Sequence, residues 1–302
     1  MKKSFYYLLM FFCVTSNAQS IIGTTTYDLQ TNSGAKNRIV AYPGGLVSAI
    51  WTGSQDLAGA FPDRGMFYNF NDGSDWGSYP ENRIETTRSG FGEIVNVNDH
   101  EVVFSHELTD TTLIVNRNVS IGDMSWSETS GSRDINGLWP SVFCPQGTDD
   151  LYVISANAFL ITSINFSRSD DGGETWTILD SPLPYLSVGD GFTTLSGEKY
   201  QIAVNGIDVY VLYGSPWTDL ILLHSNMNGE PGSWELTTII DFPIDNYNGA
   251  LGQISDYTGD GIADTIKTTT DGYLEMLVSE DGVVHVWMGN YWLYDNNPDA
   301  TG

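Results

Sequence analysis

The chain has 302 residues, 41% hydrophobic and 13% aromatic, with 32 glycines and a formal charge of -26 from 12 basic against 38 acidic residues. So few cations exclude a nucleic-acid-binding protein, which must neutralise phosphates with lysine and arginine, and they give no pull toward anionic membranes. Many glycines and aromatics, with few long apolar faces at helical period, predict short strands joined by tight turns.

The first 18 residues carry an address. Lys2 and Lys3 precede an apolar run from Phe5 to Val14 that is too short to span a bilayer, and Ser16-Asn17-Ala18 offers small residues for cleavage before Gln19. A signal peptide over 1–18 and an extracytoplasmic domain over 19–302 are expected, with no membrane insertion after cleavage. Cleavage would leave Cys144 as the only cysteine, so no intramolecular disulfide is expected.

Beyond this segment the sequence repeats. Trp76, Trp126 and Trp176 are fifty residues apart and Trp234 comes fifty-eight later, each closing a turn-rich stretch. A second landmark keeps the same step: Asp99, Asp150 and Asp208 lead hydrophobic runs and are fifty-one and fifty-eight residues apart. Two landmarks drifting together define a unit of about four short strands, the signature of a β-propeller blade. The expected fold is therefore all-β, a β-propeller of four-stranded antiparallel blades. About five blades are predicted, over 35–80, 85–130, 133–180, 185–240 and 243–290, with Tyr291 to Tyr294 opening a sixth. The sequence stops mid-architecture, which suggests a fragment or an open ring.

One turn is more specific than the rest. In SRSDDGGETW, the residues Ser169, Asp171, Gly173, Thr175 and Trp176 match the pattern Ser-x-Asp-x-Gly-x-Thr-Trp. This resembles the Asp box, the bacterial neuraminidase repeat of sialidase-like propellers; the other units carry degenerate copies. The motif is a hairpin device: Asp171 bonds its own turn, Gly173 supplies a positive φ and Trp176 packs the turn on the blade. In that family the box lies away from the active centre.

The resemblance extends weakly to the first unit. Arg38, in NRIV before GGLVSAIW, stands where the family holds the carboxylate of sialic acid, and Asp63, twenty-five residues on, stands where it places an acid/base aspartate. The plainer reading is a strand-end arginine and a turn aspartate. A sialidase of this kind needs three arginines from different blades, because planar donors grip a carboxylate best. Here the last of seven arginines is Arg168, followed only by Lys199 and Lys267 as cations. Sialoside hydrolysis is therefore disfavoured.

Other chemistry is sparse. In DYTGDGIAD, Asp256, Thr258, Asp260 and Asp264 alternate around Gly261 like the start of a calcium loop, although Lys267 at the twelfth position rules out an EF-hand. Calcium is the one cofactor expected, weighed against a solvated acidic turn. The four histidines, His100, His106, His224 and His285, are scattered without metal spacing. Trp139, Trp217, Tyr291 and Trp292 lie outside the repeated hairpins and are read first as packing, with sugar stacking second. The resulting expectation is a secreted or cell-surface binding domain for a glycan or an extracellular protein. The alternatives are a sialidase-like exo-glycosidase using Arg38 and Asp63, and a structural module of a larger exported protein.

Overall fold

The computed structural model describes residues 19–31, 34, 36–190, 192 and 195–296; the expected signal segment lies outside them. The chain builds antiparallel sheets in sequence order. The first holds β1 (Ile39–Ala41), β2 (Leu46–Gly53) and β3 (Gly65–Asp72). The second runs β4 (Gly90–Val97), β5 (His100–Glu107), β6 (Thr112–Asn118) and β7 (Trp126–Glu128). The third holds β8 (Leu138–Phe143), β9 (Leu151–Ala156), β10 (Ser163–Ser169) and β11 (Ile178–Ser187). The fourth holds β12 (Tyr200–Asn205), β13 (Asp208–Tyr213), β14 (Leu220–Ser225) and β15 (Trp234–Ile240). These are blades set around an axis, with β4, β8 and β12 as inner strands that pack on one another.

Each blade is covered on both faces, which explains why β5 and β9 are buried almost throughout instead of alternating. The core is a series of slabs between blades. Phe104, Val115 and Val153 fill one, and Ile154, Phe166, Tyr200 and Val211 another. Each such side chain contributes about 1.5–3 kcal/mol.

The repeated tryptophans mark the same corner of successive blades. Trp126 packs edge-on against Tyr68 at 5.1 Å, Trp176 against Phe104 at 6.4 Å and Trp234 against Phe166 at 5.4 Å, each in the preceding blade. Beside them, Ser169 Oγ accepts from Gly173 N at 2.9 Å and Ser225 Oγ accepts from Gly229 N at 3.0 Å. The fourth blade therefore uses the same turn as SRSDDGGETW with two more residues in it. Asp171 ties the third-blade turn, accepting from Thr175 N at 2.9 Å and from Thr175 Oγ1 at 2.6 Å. A glycine is needed where the turn presses into the neighbouring blade: a Cβ on Gly122, at φ 81°, would lie 2.6 Å from Phe70 Cε1.

The blade count expected from the sequence is too high: the structure has about four. Residues 241–264 contain many turn-forming aspartates, glycines and asparagines and hold no strand. Beyond them the chain forms one interrupted hairpin. In it β16 (Thr265–Lys267) pairs with β19 (Trp292–Tyr294), and β17 (Leu274–Val278) pairs with β18 (Val284–Met288). Asp271 N to Gly289 O and Thr268 N to Tyr291 O, both 2.9 Å, join the two ladders. The expected sixth-blade strand is thus the far end of this ribbon. Leu274, Met276, Val286 and Met288 cover the face of the fourth blade at Leu212 and Leu220. On the ribbon's other side Leu277 and Trp287 are exposed.

The first blade is closed by an N-terminal strap over residues 22–31. Asn69 Nδ2 donates to Ile22 O at 2.6 Å, Thr26 N to Ser54 O at 2.9 Å, and Thr52 N to Gln30 Oε1 at 3.0 Å. The strap then crosses to the fourth blade, where Thr31 Oγ1 reaches Glu198 Oε2 at 3.1 Å and Gly34 N reaches Glu198 O at 3.0 Å.

Candidate functional site

The axis is filled by charges. Lys36 Nζ lies 2.8 Å from Pro140 O, 3.6 Å from Glu93 Oε1 and 4.0 Å from Glu198 Oε1, with all three side chains at most 3% exposed. Glu93 Oε2 accepts from Val142 N at 2.8 Å. Burial raises the Glu93 carboxyl against the pull of Lys36 and Arg38. Local backbone irregularity aims groups toward this centre. β4 and β8 begin with register shifts, and Phe91, Trp139 and Glu198 take φ of 55°, 54° and 64°, conformations that cost a non-glycine residue about 1 kcal/mol or more. Phe91 stacks on His106 at 5.3 Å, and Trp139 N donates to His106 Nδ1 at 3.0 Å. That acceptor role leaves the proton on Nε2. Burial, with Arg64 and Lys36 nearby, pushes His106 down to about 3, so it is neutral.

Arg38 sits beneath the strap. Its Nη1 donates to Gln30 Oε1 at 2.7 Å, its Nη2 to Gln30 O, and its Nε is buried without a partner. Burial lowers its pKa, opposed by Glu198 and Glu93. Asp63 lies elsewhere, on the loop after β2. It accepts from Ser54 Oγ and from Gln55 N at 2.7 Å, bonds that outweigh desolvation and hold it below the usual carboxylate range. It lines a surface recess of about 450 Å³ with Phe67, Arg83 and Glu85. No hydrogen bond or ion pair joins Arg38 to Asp63 among the described residues, and Arg38 does not line that recess.

In the Asp256 loop the carboxylates cap backbone. Asp256 accepts from Gly259 N at 2.7 Å and Gly261 N at 2.8 Å, and Asp264 accepts from Tyr257 N and Thr258 N, both at 3.1 Å. Asp260 accepts from Ile262 N at 2.9 Å. No group of three or more histidine, cysteine or carboxylate ligands set to hold a metal occurs among the described residues.

A second cavity, about 300 Å³, opens between the loop joining β13 to β14 and the segment after β15. Aromatic rings form its body: Phe192, Phe242 and Tyr247 are buried, while Trp217 is 42% exposed. Trp217 and Tyr247 meet at 72° with centroids 6.4 Å apart, and Tyr247 OH donates to Asp295 Oδ2 at 2.7 Å, which fixes its ring. Asp219, Asp245 and Asn246 supply polar groups. Asp219 Oδ1 accepts from Phe242 N at 2.9 Å; burial raises this carboxyl, with Asp241 and Asp245 adding to the rise. Rings beside hydrogen-bond acceptors in a space of this size are features that small-molecule pockets share. Of its residues the sequence had marked only Trp217. Asp219 and Tyr247 come from segments with no shared motif, and only the fold joins them.

No protein-family model matches the chain, and no curated protein matches it. Among solved structures it is similar to a family 117 glycoside hydrolase of the marine bacterium Zobellia galactanivorans, at 12% identity over 83% of this chain and 81% of that one, with a TM-score of 0.45. It is also similar to the six-bladed, fucose-recognising lectin of Aleuria aurantia, at 13% identity over 74% and 65% of the two chains, TM-score 0.45. A family 43 β-1,3-galactosidase matches at 12% identity over 86% and 99%, TM-score 0.43. Likeness at this level assigns neither an activity nor a ligand.

Proposed function

We propose that this chain is an extracytoplasmic glycan-binding propeller domain whose ligand site is the pocket at Trp217, Asp219 and Tyr247. One observation carries the reading: a cavity of about 300 Å³ that joins a half-exposed indole and three buried rings to carboxylate and amide acceptors. A pyranose needs these elements, an apolar face for its C–H side and acceptors for its hydroxyls. Against a sialidase-like hydrolase stand the burial of Arg38 under the strap and the engagement of Asp63 with its own loop. The test is titration of immobilised and soluble glycans. Binding should weaken about tenfold or more in Trp217→Ala. Turnover of a fluorogenic sialoside, abolished by Asp63→Asn, would overturn the reading in favour of the hydrolase. Failure to bind any glycan would favour a protein partner or a structural module.

Calcium at the Asp256 loop belongs to the same proposal. It is supported by the convergence of Asp256 and Asp264 on Thr258 Oγ1, at 3.4 and 3.1 Å.

A further inference from the structure

The pocket at Trp217 has a charge problem that a neutral sugar does not resolve. Asp219 and Asp245 both line it, Asp241 lies close enough to act on Asp219, and no lysine, arginine or histidine is among its lining residues. Elsewhere the carboxylates are well supplied with donors. Asp63 has two, Asp171 is bonded by Ser169 and Thr175, and Glu128 is held by Arg133. Asp219 has a single backbone N–H, from Phe242, and neither Asp219 nor Asp245 is in an ion pair among the described residues. Like charges brought together in a partly desolvated cavity repel, and a cation between them removes that cost.

The rings favour the same guest. Trp217 and Tyr247 meet edge to face at 72°, Phe242 lies 6.0 Å from Tyr247, and all three line the space. An aromatic face attracts an ammonium group through its negative quadrupole. The hydroxyl of Thr218 donates to Ser215 O and Asp219 O, so its proton is already used within the loop.

We infer that this pocket takes a sugar bearing a free, protonated amine, which sits between Asp219 and Asp245 while the ring lies against Trp217. The inference rests on the glycan-binding reading above and narrows its ligand class.

The test compares two probes that differ at the amine: glucosamine oligosaccharides, and their N-acetylated counterparts of equal length, whose nitrogen is an uncharged amide. Calorimetric titration is run at about pH 6, where the amine is protonated. The free amine should bind about tenfold or more tightly, and added salt should shrink the gap. Asp219→Asn, or Asp245→Asn if the first variant does not fold, should bring the two probes close to parity. Trp217→Ala should weaken both. Equal or tighter binding of the acetylated probe, still dependent on Trp217, would overturn the amine inference and leave the glycan pocket standing. No binding of any saccharide would sink both.

Discussion

A methyl group is the smallest change that tests the wedge between blades. Gly229 takes φ 78°, and a Cβ there would lie inside the van der Waals surface of the Phe166 ring in the preceding blade. Gly229→Ala combines left-handed strain with forced displacement of a fully buried ring, and should cost about 2–4 kcal/mol in urea unfolding. At His106 the test is pH. An unfolded histidine titrates near 6.5, whereas burial holds this one down to about 3. Below about 6.5 the folded state therefore binds fewer protons than the unfolded one, and this contribution is lost as pH falls. Glu85 and Glu93, raised by burial, act with the opposite sign, so the parent is compared with His106→Asn. Between pH 7 and 5 the parent should lose about 2 kcal/mol more than the variant; equal losses would refute the assignment.

At the scale of elements, the blades could be read from the sequence because their signal is local. A tryptophan, a turn and a hydrophobic run recur within each unit, and these choose the hairpin by themselves. The Ser225 turn hides two extra residues but keeps the same hydroxyl bonds to the backbone. The ribbon misled for a physical reason: its strands carry apolar residues as a blade's do, and nothing local says that only one face is covered. Trp287 at 55% exposed against Leu274 at 2% records that difference. The pocket was harder still, since Trp217 and Tyr247 meet only through the loop geometry between β15 and the ribbon. For the Asp256 loop, heating in calcium and in chelator gives a direct check. A calcium site predicts a higher melting temperature in calcium, lost in Asp256→Ala; equal temperatures would remove it.

At the scale of the whole molecule the axis holds the sheets in place. Lys36 is the ammonium set between two buried carboxylates from different parts of the ring. Lys36→Met leaves Glu93 and Glu198 to face each other with less compensation, and should cost about 3–5 kcal/mol. Thermal unfolding would show it, and an unchanged midpoint would mean that Arg38 alone balances both acids. The net charge of -26 adds general repulsion that salt relieves.

The bond from Thr31 to Glu198 spans 167 residues. A chain made from its N-terminus cannot form it until the start of the fourth blade has been synthesised, and loop closure of that length has an entropic cost before any contact repays it. Blades can zip up one after another from nearby pieces, but the final latch has to wait. Folding should therefore show a slow step, in which the assembled blades capture the strap and become resistant to proteases.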